Sequence, residues 1–194
     1  STLDRSSAAS DVYKRQEQGI GSPFYYYANG AAVSEVVLDV LTGEYRVTRV
    51  DICHDVGHSL NPALDRGQIE GGFIQGMGWL TTEELVWDNN GRLETNAPAS
   101  YKIPAIGDTP PKFNVELFAR SPNAKETVFR SKAVGEPPLI LAISTWCALK
   151  DAISSLSGYT RSPKLDSPAT PERVLFACGQ MNDAQEGVSP NALV

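Results

Sequence analysis

Two periods alternate along this chain of 194 residues. From Ala31 to Val40, Val36, Leu38 and Val40 fall on one face while Glu35, Val37 and Asp39 fall on the other, the period of two expected of a half-buried strand. Leu41-Thr42-Gly43-Glu44 supplies a turn with glycine at the position that needs positive φ, and Tyr45 to Cys53 returns, so the pair predicts a β-hairpin. The period then lengthens. Asn61 can cap a helix, Pro62 suits its first turn and Asp65 its positive end. Ile69, Phe73, Met77 and Leu80 recur at i, i+4, i+8 and i+11, which predicts a helix from about Pro62 to about Leu85.

Asp88-Asn89-Asn90-Gly91 carries an Asn-Gly turn signal between Leu85–Trp87 and Arg92–Glu94 and predicts a second hairpin. The proline-bearing stretch 96–112 reads as loop, and Phe113 to Phe118 alternates as a strand. Leu139, Ala142, Ile143, Trp146, Leu149 and Ile153 share one face of a second long helix that closes near Gly158, with Trp146 and Cys147 expected in the core. A short helix is predicted from Pro171 to Ala177 behind a Thr170 cap, with residues 179–194 disordered. Together these elements predict an α+β fold, with β-hairpins and a small mixed sheet packed against two long helices.

Composition narrows the function. A formal charge of −6 and a pI near 4.9 argue against a nucleic-acid surface. No apolar run is long enough to cross a bilayer as a helix. Cys53, Cys147 and Cys178 are odd in number and widely spaced, so they form neither a disulfide framework nor a CxxC metal or iron–sulfur site; a reducing compartment, the cytoplasm, is expected. The polar, Ser-rich residues 1–17 are expected to be a disordered, non-native leader, with the original reading frame extending further upstream.

Three stretches carry candidate chemistry. In Ser131-Lys132-Ala133-Val134-Gly135-Glu136-Pro137-Pro138-Leu139, one carboxylate stands between a glycine and a Pro-Pro pair. Proline suits a first helical turn, Gly135 lets the backbone pass close to a ligand, and Pro137 biases Glu136 toward extended geometry. Glu136 is then either an acid that suits a helix dipole or a carboxylate projected for chemistry. Lys132 reads as a solvated cation. In the first long helix, Gly67, Gly71, Gly72, Gly76 and Gly78 fall within about three turns, each costing roughly 1 kcal/mol relative to alanine. Gln68, Gly72, Gln75 and Trp79 share a face there, which suits either close helix packing or approach of a ligand to Gln68. His54-Asp55-Val56-Gly57-His58 is similar to the HExxH zinc motif with Asp for Glu, but that motif requires a helix. Here a strand runs into it, Gly57 weakens a helix, and the helix start comes later, so no metal ligands are assigned.

SKAVGEPPL (131–139), with ALKDAI at the end of the following helix, resembles the C-terminal signature of the xanthine dehydrogenase/aldehyde oxidase family of molybdenum hydroxylases. FYYYANGAAVSEV (24–36), DVGHSLNPALDRGQIEGGFIQGMGWLTTEEL (55–85) and SYKIP (100–104) match in order, from about Gly21 to about Leu175. The resemblance implies that residues 18–160 are the C-terminal segment of a molybdenum-cofactor-binding domain, followed by a tail (161–194) with one short helix. It makes HDVGH a strand-to-helix loop. It implies Glu136 as general base, and Gln68, Val134 and Gly135 as contacts to molybdopterin. The reaction implied is oxidative hydroxylation of a purine or related heteroaromatic carbon. Partners implied are the small-molecule substrate, the upstream part of the molybdenum subunit, and iron–sulfur clusters and FAD on other domains or subunits. The segment alone is expected to be inactive. The alternatives are a family member acting on aldehydes or other heterocycles, and a non-catalytic binding or assembly module.

Overall fold

The computed structural model of the protein describes residues 24–119 and 122–186. The predicted leader (1–17) and the end of the tail (187–194) lie outside the described residues. Strands β1 (Gly30–Leu38) and β2 (Tyr45–His54) form the expected antiparallel hairpin. Gly43 takes φ +74° in the turn, as required where the chain reverses. Glu35 pairs with Arg49 and Val36 with Val47, so Thr48 is an extra residue in the ladder. That bulge lets Val47 and Val50, three positions apart, both face the core. Strand β3 (Lys112–Leu117) joins the other side of β2 in parallel, with Arg49 opposite Lys112 and His54 opposite Leu117. The sheet is therefore mixed, in the order β1-β2-β3. A parallel neighbour needs a long crossover, and α1 (Pro62–Thr81) with the loop after it provides one.

Asn61 accepts the Ala63 and Leu64 amides, so α1 starts where the capping signal places it. Its apolar stripe Ile69, Phe73 and Met77 packs on Val47, Val50 and Ile52 of β2, and Phe73 meets Phe113 edge to face at 5.5 Å. The helix stops at Thr81 rather than near Leu85. The Thr81 hydroxyl donates back to the Met77 carbonyl, and the amides of Thr82 and Glu83 both turn onto the Gly78 carbonyl, ending the helical ladder. The second hairpin is minimal, a single Trp87–Leu93 bridge around Gly91 at φ +79°.

The second long helix begins as a tight 3-10 turn over Pro137–Ala142 and continues as α2 (Ile143–Ser155). Its buried stripe is Ala142, Thr145, Leu149 and Ile153, with Trp146 partly buried against the second core. Cys147, expected in the core, lies off that stripe and is exposed. The tail differs most from expectation. Instead of a short helix to Ala177, α3 runs from Pro171 to Glu186. Val174, Ala177, Cys178 and Met181 recur at i, i+3, i+4 and i+7 and close a second core with Leu149, Ile153, Leu165 and Ala169. Tyr45 joins this core to the sheet by donating to the Ala169 carbonyl (2.8 Å), and burial pushes its pKa up to about 12.

Candidate functional site

The 3-10 turn lies along α1, and glycine makes that approach possible. A Cβ on Gly72 would come within 3.3 Å of the Gly135 carbonyl oxygen and of Pro138 Cβ, and one on Gly76 would overlap the Leu139 carbonyl. Gly78 is closed in the same way by Pro104 and Glu83. Gly67 and Gly71 differ: among the described residues, nothing lies within 4 Å of where their side chains would be. Close packing thus accounts for three of the five glycines, and the other two lie on an open face. Gln68 sits between them. Its Oε1 is 3.6 Å from where a side chain on Gly135 would begin, so the structure brings Gln68 together with the Val134-Gly135-Glu136 turn despite some 65 positions of separation.

Glu136 caps the 3-10 turn with φ −98° and ψ −38°. This is helical geometry, not the extended backbone that Pro137 leads one to expect. The Glu136 carbonyl accepts the Leu139 amide at 3.1 Å, and that turn-closing bond offsets the pre-proline bias. The carboxylate does not cap its own turn; it is exposed and has no hydrogen bond or ion pair among the described residues. The backbone N–H groups of Val134, Gly135 and Glu136 likewise have no acceptor among the described residues, and neither does the Gln68 amide. Val134 packs its side chain into the first core, which leaves its N–H as the group it can offer. The result is a set of three backbone donors, one amide and one carboxylate at an exposed edge of the fold.

Two residues before this set, the chain is tightly held. Lys132 is no solvated cation: its Nζ pairs with Asp55 Oδ2 at 2.5 Å, with both side chains 10% exposed, and also donates to the Tyr27 carbonyl at 2.9 Å. The Lys132 amide donates to the Val56 carbonyl, the His58 amide to the Arg130 carbonyl, and the Ala133 amide to the Tyr26 hydroxyl. The HDVGH segment serves this anchorage. It leaves β2 as extended chain, bridging Ser131 through Gly57, so its two histidines do not share a helical face. His54 is 1% exposed and His58 is exposed. Burial holds the His54 imidazole below its ordinary pKa, with Asp55 pulling the other way. Among the described residues no three His, Cys, Asp or Glu side chains are grouped to hold a metal ion. Lys132, Asp55 and Tyr26 were not legible as site residues, because contacts over 77 and 107 positions leave no periodic trace.

The fold is α+β, with an unpartnered carboxylate and amide beside its glycine-rich helix, and comparison with known proteins gives its family. Residues 3–110 match the model of the molybdopterin cofactor-binding domain. The chain is 53% identical over 171 residues to the xanthine dehydrogenase/oxidase of Gallus gallus and 51% identical over 170 residues to the xanthine dehydrogenase of Oryza sativa subsp. japonica. These matches cover 87% and 82% of the chain but 12% of each relative, so the chain spans about an eighth of their length. Among solved structures it is similar to quinoline 2-oxidoreductase from Pseudomonas putida 86 (TM-score 0.70, 28% identity, 79% of this chain and 19% of that one). It is also similar to the aldehyde oxidoreductase of Desulfovibrio gigas (TM-score 0.65, 30% identity, 83% of this chain and 16% of that one). The chain belongs to the molybdopterin cofactor-binding domains of the xanthine dehydrogenase/aldehyde oxidase family.

Proposed function

We propose that this chain forms the C-terminal wall of the molybdenum-cofactor site in a xanthine dehydrogenase-like hydroxylase, with Glu136 as its general base. The observation that carries this reading is the juxtaposition of Gln68 with the 134–136 turn, where donors and a carboxylate face outward without partners among the described residues. Such a set fits a ligand rich in hydrogen-bond acceptors. The Gln68 amide and the Val134 and Gly135 N–H groups would hold the pterin portion, and Gly67 and Gly71 leave room for it beside the helix. When bound, the molybdenum cofactor supplies the two-electron redox chemistry of hydroxylation with water as the oxygen source. Glu136 takes up, at a carboxylate oxygen, the proton released as oxygen is added to the substrate carbon. Its position at the free edge of a short turn lets it reach that proton without ligating the metal.

The substrate proposed is a purine or a related heteroaromatic, on the strength of roughly half-identical xanthine dehydrogenases. Electrons then leave through iron–sulfur clusters and FAD on other domains or subunits. Three free cysteines fit a cytoplasmic setting, and among the described residues no helix is long and apolar enough to cross a membrane.

The test uses the complete protein encoded by the gene, loaded with cofactor and assayed for xanthine oxidation. Glu136→Gln should lower kcat on the order of 100-fold or more while molybdenum content stays at the parental level. Near-parental kcat would remove Glu136 from the mechanism, and a molybdenum-loaded parent that does not oxidise xanthine would remove the purine assignment.

A further inference from the structure

We propose that Lys132 and Asp55 act as a positioning pair that sets the placement of Glu136, beyond their part in the fold. This inference rests on the reading of Glu136 as general base. Buried ion pairs are weak stabilisers, because desolvation offsets much of the attraction and neutral replacement of both partners often costs little. What this pair adds is direction. One ammonium reaches both Asp55, at the end of β2, and the Tyr27 carbonyl, just ahead of β1. The second oxygen of Asp55 accepts the Gly57 amide at 2.9 Å, and Gly57, at φ +64°, has no space for a side chain against the Arg130 carbonyl. The Asp55 amide in turn donates to the Asn29 carbonyl. Two segments far from Lys132 in sequence, 27–29 and 55–57, thus converge on it.

Ala133 is the last residue of the turn to be tied, through its amide to the Tyr26 hydroxyl at 3.0 Å. Among the described residues, the next backbone amide with an acceptor is that of Leu139. Glu136 lies four residues past Lys132, at most roughly 14 Å of chain. Between the two, the turn is held by packing and not by backbone hydrogen bonds among the described residues: Val134 against the first core, and Gly135 against Gly72 and Gln68. A small rotation at 132–133 would therefore swing the carboxylate out of line with Gln68, and misplacement by about 1 Å can cost on the order of 100-fold in rate.

The test compares Lys132→Met, Asp55→Asn and the double variant in the complete, molybdenum-loaded protein, with xanthine as substrate. Each single change leaves one buried charge unpaired and should lower both the unfolding midpoint and kcat. In the double variant the midpoint should return toward the parental value, while kcat stays on the order of 100-fold low, with KM within about threefold of parental and full molybdenum content. Recovery of kcat together with stability would overturn the proposal. Adding Glu136→Gln to the double variant should cause little further loss, since both changes act through one carboxylate. Should the double variant fail to fold, Tyr26→Phe, which removes only the acceptor for the Ala133 amide, should lower kcat about three- to tenfold at an unchanged midpoint. An unchanged kcat there also overturns the proposal. Glu136→Gln alone separates the two readings: if it abolishes turnover while the positioning variants keep theirs, only the positioning role falls.

Discussion

On one side of α1, Gly72 and Gly76 lie buried beneath the Pro137–Ala142 turn; on the other, Gly67 and Gly71 face no described atom within 4 Å. Both sets bear the same helix-propensity cost, about 1 kcal/mol per residue. On the closed side the cost is offset within the described fold, because backbone packs on backbone and some of the buried polar groups find partners. Tyr45 donates to the Ala169 carbonyl, and the Ala169 amide donates to the Leu80 carbonyl. On the open side nothing described offsets it. Gln68, the Glu136 carboxylate and the 134–136 amides, which have no partners among the described residues, lie at the border of the closed side, where Gly135 crosses Gly72. A glycine under another chain segment is explained by packing, whereas Gly67 and Gly71 have no such explanation among the described residues.

The largest expected effect lies on the closed side. Gly76→Ala gains helix propensity but drives a methyl group into the Leu139 carbonyl, so the turn must move. We expect a net loss of about 3 kcal/mol, read as a lowered denaturation midpoint of the complete protein. An unchanged midpoint would mean that the turn does not sit tightly on the helix. The next effect is alkaline. Tyr45 is raised to about 12 from an ordinary value of 10.0, so the native state holds its proton where the unfolded state releases it. Its contribution is fully present below pH 10 and is lost as the pH rises toward 12, roughly 2–3 kcal/mol in all. Tyr45→Phe should remove that part of the alkaline slope, and an identical slope in the variant would contradict the buried, satisfied hydroxyl. The smallest effect sharpens the contrast. Gly71→Ala meets no described atom and should stabilise cofactor-free protein by about 0.5–1 kcal/mol. A loss of stability would show that this face is packed in the complete protein and not kept for a ligand.

Local signals carried most of the fold. The period-two strands, the Asn61–Pro62 helix start and the Pro-Pro turn all appear where the sequence predicts them. The α3 stripe was present in the sequence too, since Cys178 and Met181 extend the Val174–Ala177 spacing, but Gly179 and Gln180 between them hid it. The division of the α1 glycines was not legible, because five similar residues on one helix differ only in what lies across from them. Nor was the burial of Lys132, whose partner lies just past the end of β2, 77 positions away. Glu136 stood out because its chemistry is local: one acid, one glycine and two prolines in a row.

The most direct test of the open-face account is hydrogen–deuterium exchange of the complete protein with and without its molybdenum cofactor, followed in the peptide covering 133–141. Pro137 and Pro138 carry no amide, so exchange there reports chiefly on Val134, Gly135, Glu136 and the few residues after the turn. Amides with no acceptor in the described fold should exchange fast without cofactor and slow markedly when it binds, while the α1 peptide covering 72–81 stays protected in both states. Equal exchange of the 133–141 peptide in both forms would contradict the claim that this turn is a wall of the cofactor site.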